Sequence, residues 1–222
     1  MDQNLQTTLT SIDTNGALPF KGVIFDMDGT LLESTQADYK AWEKVFNNNN
    51  QELSYERYAP MLGIKSADVV RNEIGFQDEQ DVKRILKEKL DYFVEYVNEN
   101  PIKPVFAAEV FLKSLAQYPL KIALATSSRQ EKMQMVLEQL DFLQYFDVVV
   151  TGNEVANGKP APDIFLLAAQ RLQLNAEECM VIEDGPIGVA AAKSANMKCV
   201  AITETHKAEQ LGEADLVINT YE

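Results

Sequence analysis

From residue 105 onward the chain alternates between two hydrophobic periods, and that alternation restricts the fold more than any other feature of its 222 residues. Short continuous apolar runs recur at KIALA (121–125), DVVV (147–150), MVI (180–182), CVAI (199–202) and DLVI (215–218). A run that is apolar at successive positions buries both faces of its strand, which is the mark of a parallel sheet covered by helices. Between several of these runs lie QEKMQMVLEQL, DIFLLAAQRL and PIGVAAAKSA, whose apolar residues repeat at helical spacing. Pro186 opens the last of these, in a first turn where its missing N–H leaves no helical bond unmade. With Val23–Phe25 as the leading strand, the expected fold is α/β, a doubly wound parallel sheet.

Residues 34 to 103 follow a different rule. ADYKAWEKVF sets Tyr39, Trp42, Val45 and Phe46 at helical spacing, and DVKRILKEKLDYFVEYV does the same from Val82 to Val97. The NNNN run at 47–50 ends the first helix, and the two prolines of NPIKP (100–104) close the segment. No strand pattern intervenes. The expected organisation is therefore a leader over 1–19, a core from 20–33 and 104–222, and an all-helical cap inserted over 34–103. Ligands of open α/β sheets bind beyond the carboxyl ends of the strands, so such an insert leaves the core over the binding edge.

The residues just past each strand are polar. Asp26, Asp28, Gly29 and Thr30 follow the first strand, and Thr126, Ser127, Ser128 and Arg129 follow KIALA. GKPAPD, with Lys159 and Asp163, lies beyond DVVV, and Glu183, Asp184 and Gly185 follow MVI. Two carboxylates as close as Asp26 and Asp28 repel, unless a cation neutralises them or one of them carries a proton. Carboxylate oxygens suit Mg²⁺, while a lysine and hydroxyls suit phosphoryl oxygens. An aspartate is a competent nucleophile in phosphoryl transfer, and a second one can carry protons to the leaving oxygen and from water.

DMDGT, ATSS, GKPAPD and IEDGPIGVAAAKSA, in that order, resemble the haloacid dehalogenase superfamily, and within it the branch of β-phosphoglucomutase and sugar-phosphate phosphatases. The resemblance covers residues 20 to 222. It implies a Rossmann-like core, Mg²⁺ dependence and an aspartyl-phosphate intermediate. By position it makes Asp26 the nucleophile and Asp28 the acid/base, with the Asp28 backbone carbonyl on the metal. Thr126 would hydrogen-bond the transferring phosphoryl group, Lys159 would pair with it and with the nucleophile, and Glu183 and Asp184 would complete the metal shell. Around the substrate the resemblance points to Ser127, Ser128, Arg129, Lys65 and Ser66. Two positions depart from the mutase: Asp38 stands where it has a histidine, and Ser66 where it has an arginine that grips a distal phosphate. Pro104-Val105 also replaces the family's usual Pro-Gly. The expected function is a Mg²⁺-dependent phosphatase of a small phosphorylated metabolite. A phosphohexomutase is the alternative, and a non-catalytic phosphate-binding protein a third reading.

Composition limits the partners. A formal net charge of −14 argues against broad attraction to nucleic acid or an anionic membrane, while leaving room for a local positive pocket that takes a small anion. The first 19 residues read as neither signal peptide nor anchor, and no apolar run approaches the ~18–20 residues of a membrane helix. Cys179 and Cys199, each within an apolar stretch, are expected as free buried thiols, in keeping with a reducing cytoplasm. A monomer is the default expectation for a capped core. Structural roles are expected for Asp163, for Trp42 in the cap core and for the VKRILKEKL charges on a solvated face. Ser127 and Ser128 are equally placed to cap the next helix, and His206 is expected at the surface or on a flap.

Overall fold

A computed structural model describes residues 20–222, so the expected leader over 1–19 lies outside the described residues. Six strands form one parallel sheet: β1 (Gly22–Phe25), β2 (Lys121–Thr126), β3 (Val148–Thr151), β4 (Cys179–Glu183), β5 (Lys198–Ile202) and β6 (Leu216–Ile218). Their order is β3-β2-β1-β4-β5-β6, the doubly wound arrangement expected from the periodicity. Asp147 falls just outside β3, and its carboxylate accepts a hydrogen bond from the Ile122 N–H at 2.8 Å.

Alternate residues of the strands supply two separate cores. Val23 and Phe25 face one side with Leu124, Met180 and Ile182, and Ile24 faces the other with Ala123, Val181 and Cys199. Eight helices run through the described chain: α1 (Thr35–Asn48), α2 (Tyr55–Tyr58), α3 (Ser66–Val69), α4 (Glu79–Glu99), α5 (Ala108–Leu115), α6 (Gln130–Gln139), α7 (Asp163–Leu172) and α8 (Pro186–Ser194). Phe111 and Leu112 of α5 and Val136 and Leu137 of α6 cover the first face. Ile164 and Phe165 of α7 and Val189 and Ala192 of α8 cover the second. Both cysteines are buried and free, as expected.

Between β1 and α5 every element is helical among the described residues. α1 and α4 pair along their length around a core of their own, built on Trp42, Val45, Phe46, Tyr58, Ile85 and Leu86. Trp42 thus belongs to the cap interior. α1 stops where expected: Asn49 closes it and Asn50 takes a left-handed backbone (φ 57°), which asparagine tolerates well. The short α2 and α3 have no legible period, since four residues make barely one turn. The chain leaves and re-enters the core side by side. Glu33 N–H donates to the Lys103 carbonyl at 2.9 Å, and Val105 N–H to the Leu31 carbonyl at 2.9 Å. No helix is long and apolar enough to cross a membrane among the described residues.

Candidate active site

Register sets the site. Phe25 pairs with Leu124 on one side and Ile182 on the other, so Asp26 stands level with Ala125 and Glu183, and Thr126 one step beyond. The first loop then turns sharply. Gly29 adopts φ +84°, and a Cβ there would meet the Asp184 carboxylate and the Thr205 methyl. Glycine is the residue for a left-handed turn against a neighbouring side chain.

At the centre lies Lys159, 4% exposed. Its ammonium donates to Asp26 Oδ1 at 2.5 Å and to Glu183 Oε1 at 2.7 Å. Glu183 also accepts from the backbone N–H of Asp184 (2.8 Å) and Gly185 (2.9 Å), which fixes it as the support of Lys159. Asp184 accepts from the Thr30 hydroxyl at 2.8 Å and from the Thr205 hydroxyl. Burial pushes the Asp26 carboxyl up to about 7, with Lys159 pulling the other way and Glu183 and Asp28 adding to the rise. Burial likewise holds Asp184 well above the carboxylate range, reinforced by Glu183 and Asp26.

That imbalance bears on the expected metal. Asp26, Glu183 and Asp184 lie together with Lys159 as their one cationic partner, so ionising all three would leave two negative charges unbalanced, and Asp26 and Asp184 are pushed up accordingly. Among the described residues no three His, Cys, Asp or Glu side chains already stand as a metal cluster. The hydrogen bonds give the reason: Glu183 is committed to Lys159 and two N–H groups, and the Asp28 side chain is turned to other partners. Side-chain donors reduce to Asp26 and Asp184. Two carboxylates completed by carbonyl, water and phosphate oxygens are what Mg²⁺ ordinarily takes, so the residues fit a divalent cation that would offset the excess charge.

Asp28 faces the cap. Its Oδ1 accepts from the Ser34 hydroxyl (2.5 Å) and the Lys132 ammonium (2.7 Å), and its Oδ2 from the Ser128 hydroxyl (2.6 Å). Burial works to raise this carboxyl, but Lys132 and Ser128 outweigh it and hold Asp28 below its ordinary value. Ser128 is therefore engaged at the site rather than capping α6, whose first N–H, that of Gln130, donates instead to Asn153 Oδ1 at 3.2 Å. Thr126 is buried and its hydroxyl accepts from the Ser128 N–H at 3.0 Å. Among the described residues Ser127 Oγ is the buried side-chain oxygen without a hydrogen-bond partner, and it lines the cavity above Asp26.

The cap supplies Ser66, Asp38, Trp42, Tyr58 and Lys89 to the same cavity. Lys65 lies outside it: its ammonium donates to the carbonyls of Val155 (2.8 Å) and Ala156 (3.2 Å). Arg129 also stays outside and pairs with Glu131 at 3.1 Å. Asp163 makes a structural contact: its Oδ1 accepts from the Asn157 side chain at 2.9 Å and pins the loop that carries the lysine.

Lys89 departs from the sequence reading, and His206 and Lys132 add to it. Lys89, assigned to a solvated helix face, is 7% exposed, pairs with Asp38 at 2.5 Å and lies 4.8 Å from the Trp42 ring. His206, expected at the surface or on a flap, is half-buried in the turn after β5, with Nδ1 3.1 Å from the Asp184 carbonyl oxygen. Lys132, 5% exposed, was not anticipated and joins Asp28 to Asp38. The available signal for Lys132 was its place among the apolar residues of QEKMQMVLEQL, on the face of α6 that turns inward.

Glycine 188 is a packing requirement of the site. A Cβ there would occupy the position of the Glu183 carboxylate. Gly188→Ala must displace Glu183, and with it Lys159. A cost of ~1–3 kcal/mol in stability is expected, as for other overpacked sites, read as a lower urea midpoint at unchanged m-value.

The family model for haloacid dehalogenase-like hydrolases matches residues 23–202. A phosphorylated carbohydrates phosphatase of Thermotoga maritima is 36% identical over 183 residues, covering 80% of this chain and 82% of that protein. A fructose-1-phosphate phosphatase of Escherichia coli is 30% identical over 184 residues, covering 82% and 96%. The crystal structure of a β-phosphoglucomutase from Clostridium difficile superposes with a TM-score of 0.82 at 26% identity, over 91% of this chain and 92% of that one. A match of that extent, on motifs that converge at the carboxyl edge of the sheet, settles the family: the chain belongs to the haloacid dehalogenase-like hydrolases.

Proposed function

We propose that this enzyme is a phosphatase of small phosphorylated carbohydrates, acting through a phosphoryl group held transiently on Asp26. The observation that carries the reading is the convergence of Asp26, Asp184 and the partnerless Ser127 hydroxyl on one cavity, with Lys159 bonded to Asp26 behind its wall. Asp26 Oδ1 is held by Lys159, which leaves Oδ2 to attack phosphorus. The bond to the leaving oxygen breaks as the Asp26–phosphorus bond forms, and Asp28 gives that oxygen its proton. Water then attacks the phosphorus and passes a proton to Asp28, releasing inorganic phosphate and restoring Asp26. Lys132 and Ser128 lower the Asp28 carboxyl and so favour the ionised form that this second step requires. Ser127 and the Thr126 hydroxyl bear on the phosphoryl oxygens, and Lys159 offsets the charge that gathers there. Asp26 and Asp184 would hold a Mg²⁺ ion, which supplies charge neutralisation between carboxylate and phosphate.

Hydrolysis is favoured over mutase chemistry by the cations. A mutase must grip a second phosphate at the cap. Lys89 and Lys132 are spent on Asp38 and Asp28, Lys65 on two carbonyls, and Arg129 on Glu131. Serine stands at position 66 on the cavity wall. The similarity to sugar-phosphate phosphatases points the same way.

Purified protein given β-glucose 1-phosphate with a trace of the 1,6-bisphosphate, and separately fructose 1-phosphate, is expected to release inorganic phosphate and form no glucose 6-phosphate. Glucose 6-phosphate as product would replace the phosphatase by the mutase. The metal has its own readout: at ~100 times its dissociation constant Mg²⁺ contributes about 2.7 kcal/mol, a rise in Tm of roughly 5–10 °C. No rise, together with full turnover in excess chelator, would remove the ion from the scheme.

A further inference from the structure

Asp184 is gripped at both of its oxygens. Oδ1 accepts from the Thr30 hydroxyl at 2.8 Å, and Oδ2 from the Thr205 hydroxyl. A carboxylate oxygen has two acceptor positions, so each of them keeps one for a cation. The two threonines are anchored differently. Thr205 stands in the turn after β5, with His206 Nδ1 2.8 Å from its hydroxyl oxygen. Thr30 is buried in the first loop, and its carbonyl accepts from the Tyr221 phenol at 2.8 Å. Tyr221 lies three residues beyond β6 and packs in the core beneath the site. Its ring stacks on Phe111 of α5, with centroids 5.1 Å apart and planes 24° from parallel.

Thr30 therefore joins the core to the candidate metal site. It follows Gly29, whose left-handed turn runs so close to the Asp184 carboxylate that a Cβ would collide with it. The bonds at Gly29 and Leu31 close this loop on itself: Gly29 N–H donates to the Leu32 carbonyl at 2.8 Å, and Leu31 N–H to the Met27 carbonyl at 2.9 Å. The phenol ties the same loop to the helical layer behind it. A buried carbonyl that loses its donor turns to recover one, and here the turning peptide carries the hydroxyl that holds Asp184. We propose that Tyr221 is a positioning residue of the metal site: its phenol fixes the Thr30 peptide, and Thr30 fixes the Asp184 carboxylate for a divalent cation. The proposal rests on the assignment of Mg²⁺ to Asp26 and Asp184 given above.

The test titrates Mg²⁺ into substrate-free protein and follows Tm. Partners of metal ligands are worth ~10–100-fold in metal affinity. Tyr221→Phe keeps the ring on Phe111 and removes the donor, so the Mg²⁺ dissociation constant is expected to rise ~10-fold. Phe111→Leu is the control, because it disturbs the same packing and spares the phenol. It should lower Tm in chelator, yet leave the dissociation constant within ~3-fold of the parent. Thr30→Val removes the hydroxyl through which Tyr221 acts, so adding Tyr221→Phe to it should weaken Mg²⁺ by no more than a further ~3-fold. Amide exchange at Gly29 and Leu31 needs neither metal nor substrate, and it should be at least ~10-fold faster in Tyr221→Phe. An unchanged dissociation constant or unchanged exchange in Tyr221→Phe would overturn the proposal. So would an equal loss in Phe111→Leu or multiplying losses in the double variant, either of which makes Tyr221 a packing residue. If Thr30→Val fails to fold, Tyr221→Phe and Phe111→Leu carry the test. A parent protein that shows no Mg²⁺ shift takes down the metal assignment itself, whereas a shift kept intact in Tyr221→Phe takes down this proposal alone.

Discussion

Asp26→Asn releases no phosphate above background: a loss of at least ~10⁴-fold is expected, about 5.4 kcal/mol of barrier. The amide has the shape of the carboxylate, and its oxygen still accepts from the Lys159 ammonium, so the buried cluster stays closed. What it lacks is the anionic oxygen that bonds to phosphorus. The same substitution should raise stability in the absence of divalent cation at high pH. The Asp26 carboxyl rises from the ordinary value of 3.8 to about 7 in the folded chain, because burial disfavours its charge. An acid whose folded value is raised costs stability as pH climbs from its unfolded value through its folded one, and the full cost persists above. Asparagine removes that cost. In chelator at pH 8 the variant should therefore melt several degrees above the parent, and at pH 4, where the parent carboxyl is protonated, the gap should close. Residual turnover near the parent rate would end the covalent scheme, and an equal gap at both pH values would contradict the burial argument.

The sheet was legible because each core strand is short and apolar on both faces, a pattern that a solvated strand cannot show. The site residues that follow the strands were legible for a related reason. In a parallel sheet, the first polar residue after each apolar run falls on one common edge, and Asp26, Thr126 and Glu183 all do. The charges that join core to cap were not legible. Lys132 meets Asp28 and Asp38 across 104 and 94 residues of sequence, and Lys89 sits among residues whose charges do face solvent. A lysine reads as solvated unless its partner is known, and here the partner lies on another element. Ser128 posed a similar choice. Its position before α6 suits a helix cap, and the competing acceptor, Asp28, is 100 residues away.

Lys159→Met should have the largest effect on stability, and the effect should depend on pH. The ammonium lies between Asp26 and Glu183 and 4.9 Å from the Phe165 ring. Methionine keeps the length and the contact with Phe165, yet leaves two buried acids without a counter-charge. Breaking a buried pair on one side costs ~3–5 kcal/mol, or roughly 6–20 °C in Tm for a chain of this size. Because Lys159 favours the ionised form of Asp26, its removal pushes that carboxyl higher still. The variant then loses stability as pH rises above the ordinary carboxylate range, and protonation near pH 4 recovers part of the loss. Calorimetry in chelator at pH 4 and pH 8 reads the difference directly. A penalty equal at the two pH values would mean that lost packing, not an uncompensated pair of carboxylates, sets the cost. Glu183→Gln separates the two further. The amide oxygen still accepts from the N–H groups of Asp184 and Gly185, while one negative charge disappears, so its penalty should be smaller than that of Lys159→Met at pH 8. The site tolerates a missing acid better than a missing base because the cluster already holds more acids than Lys159 can balance.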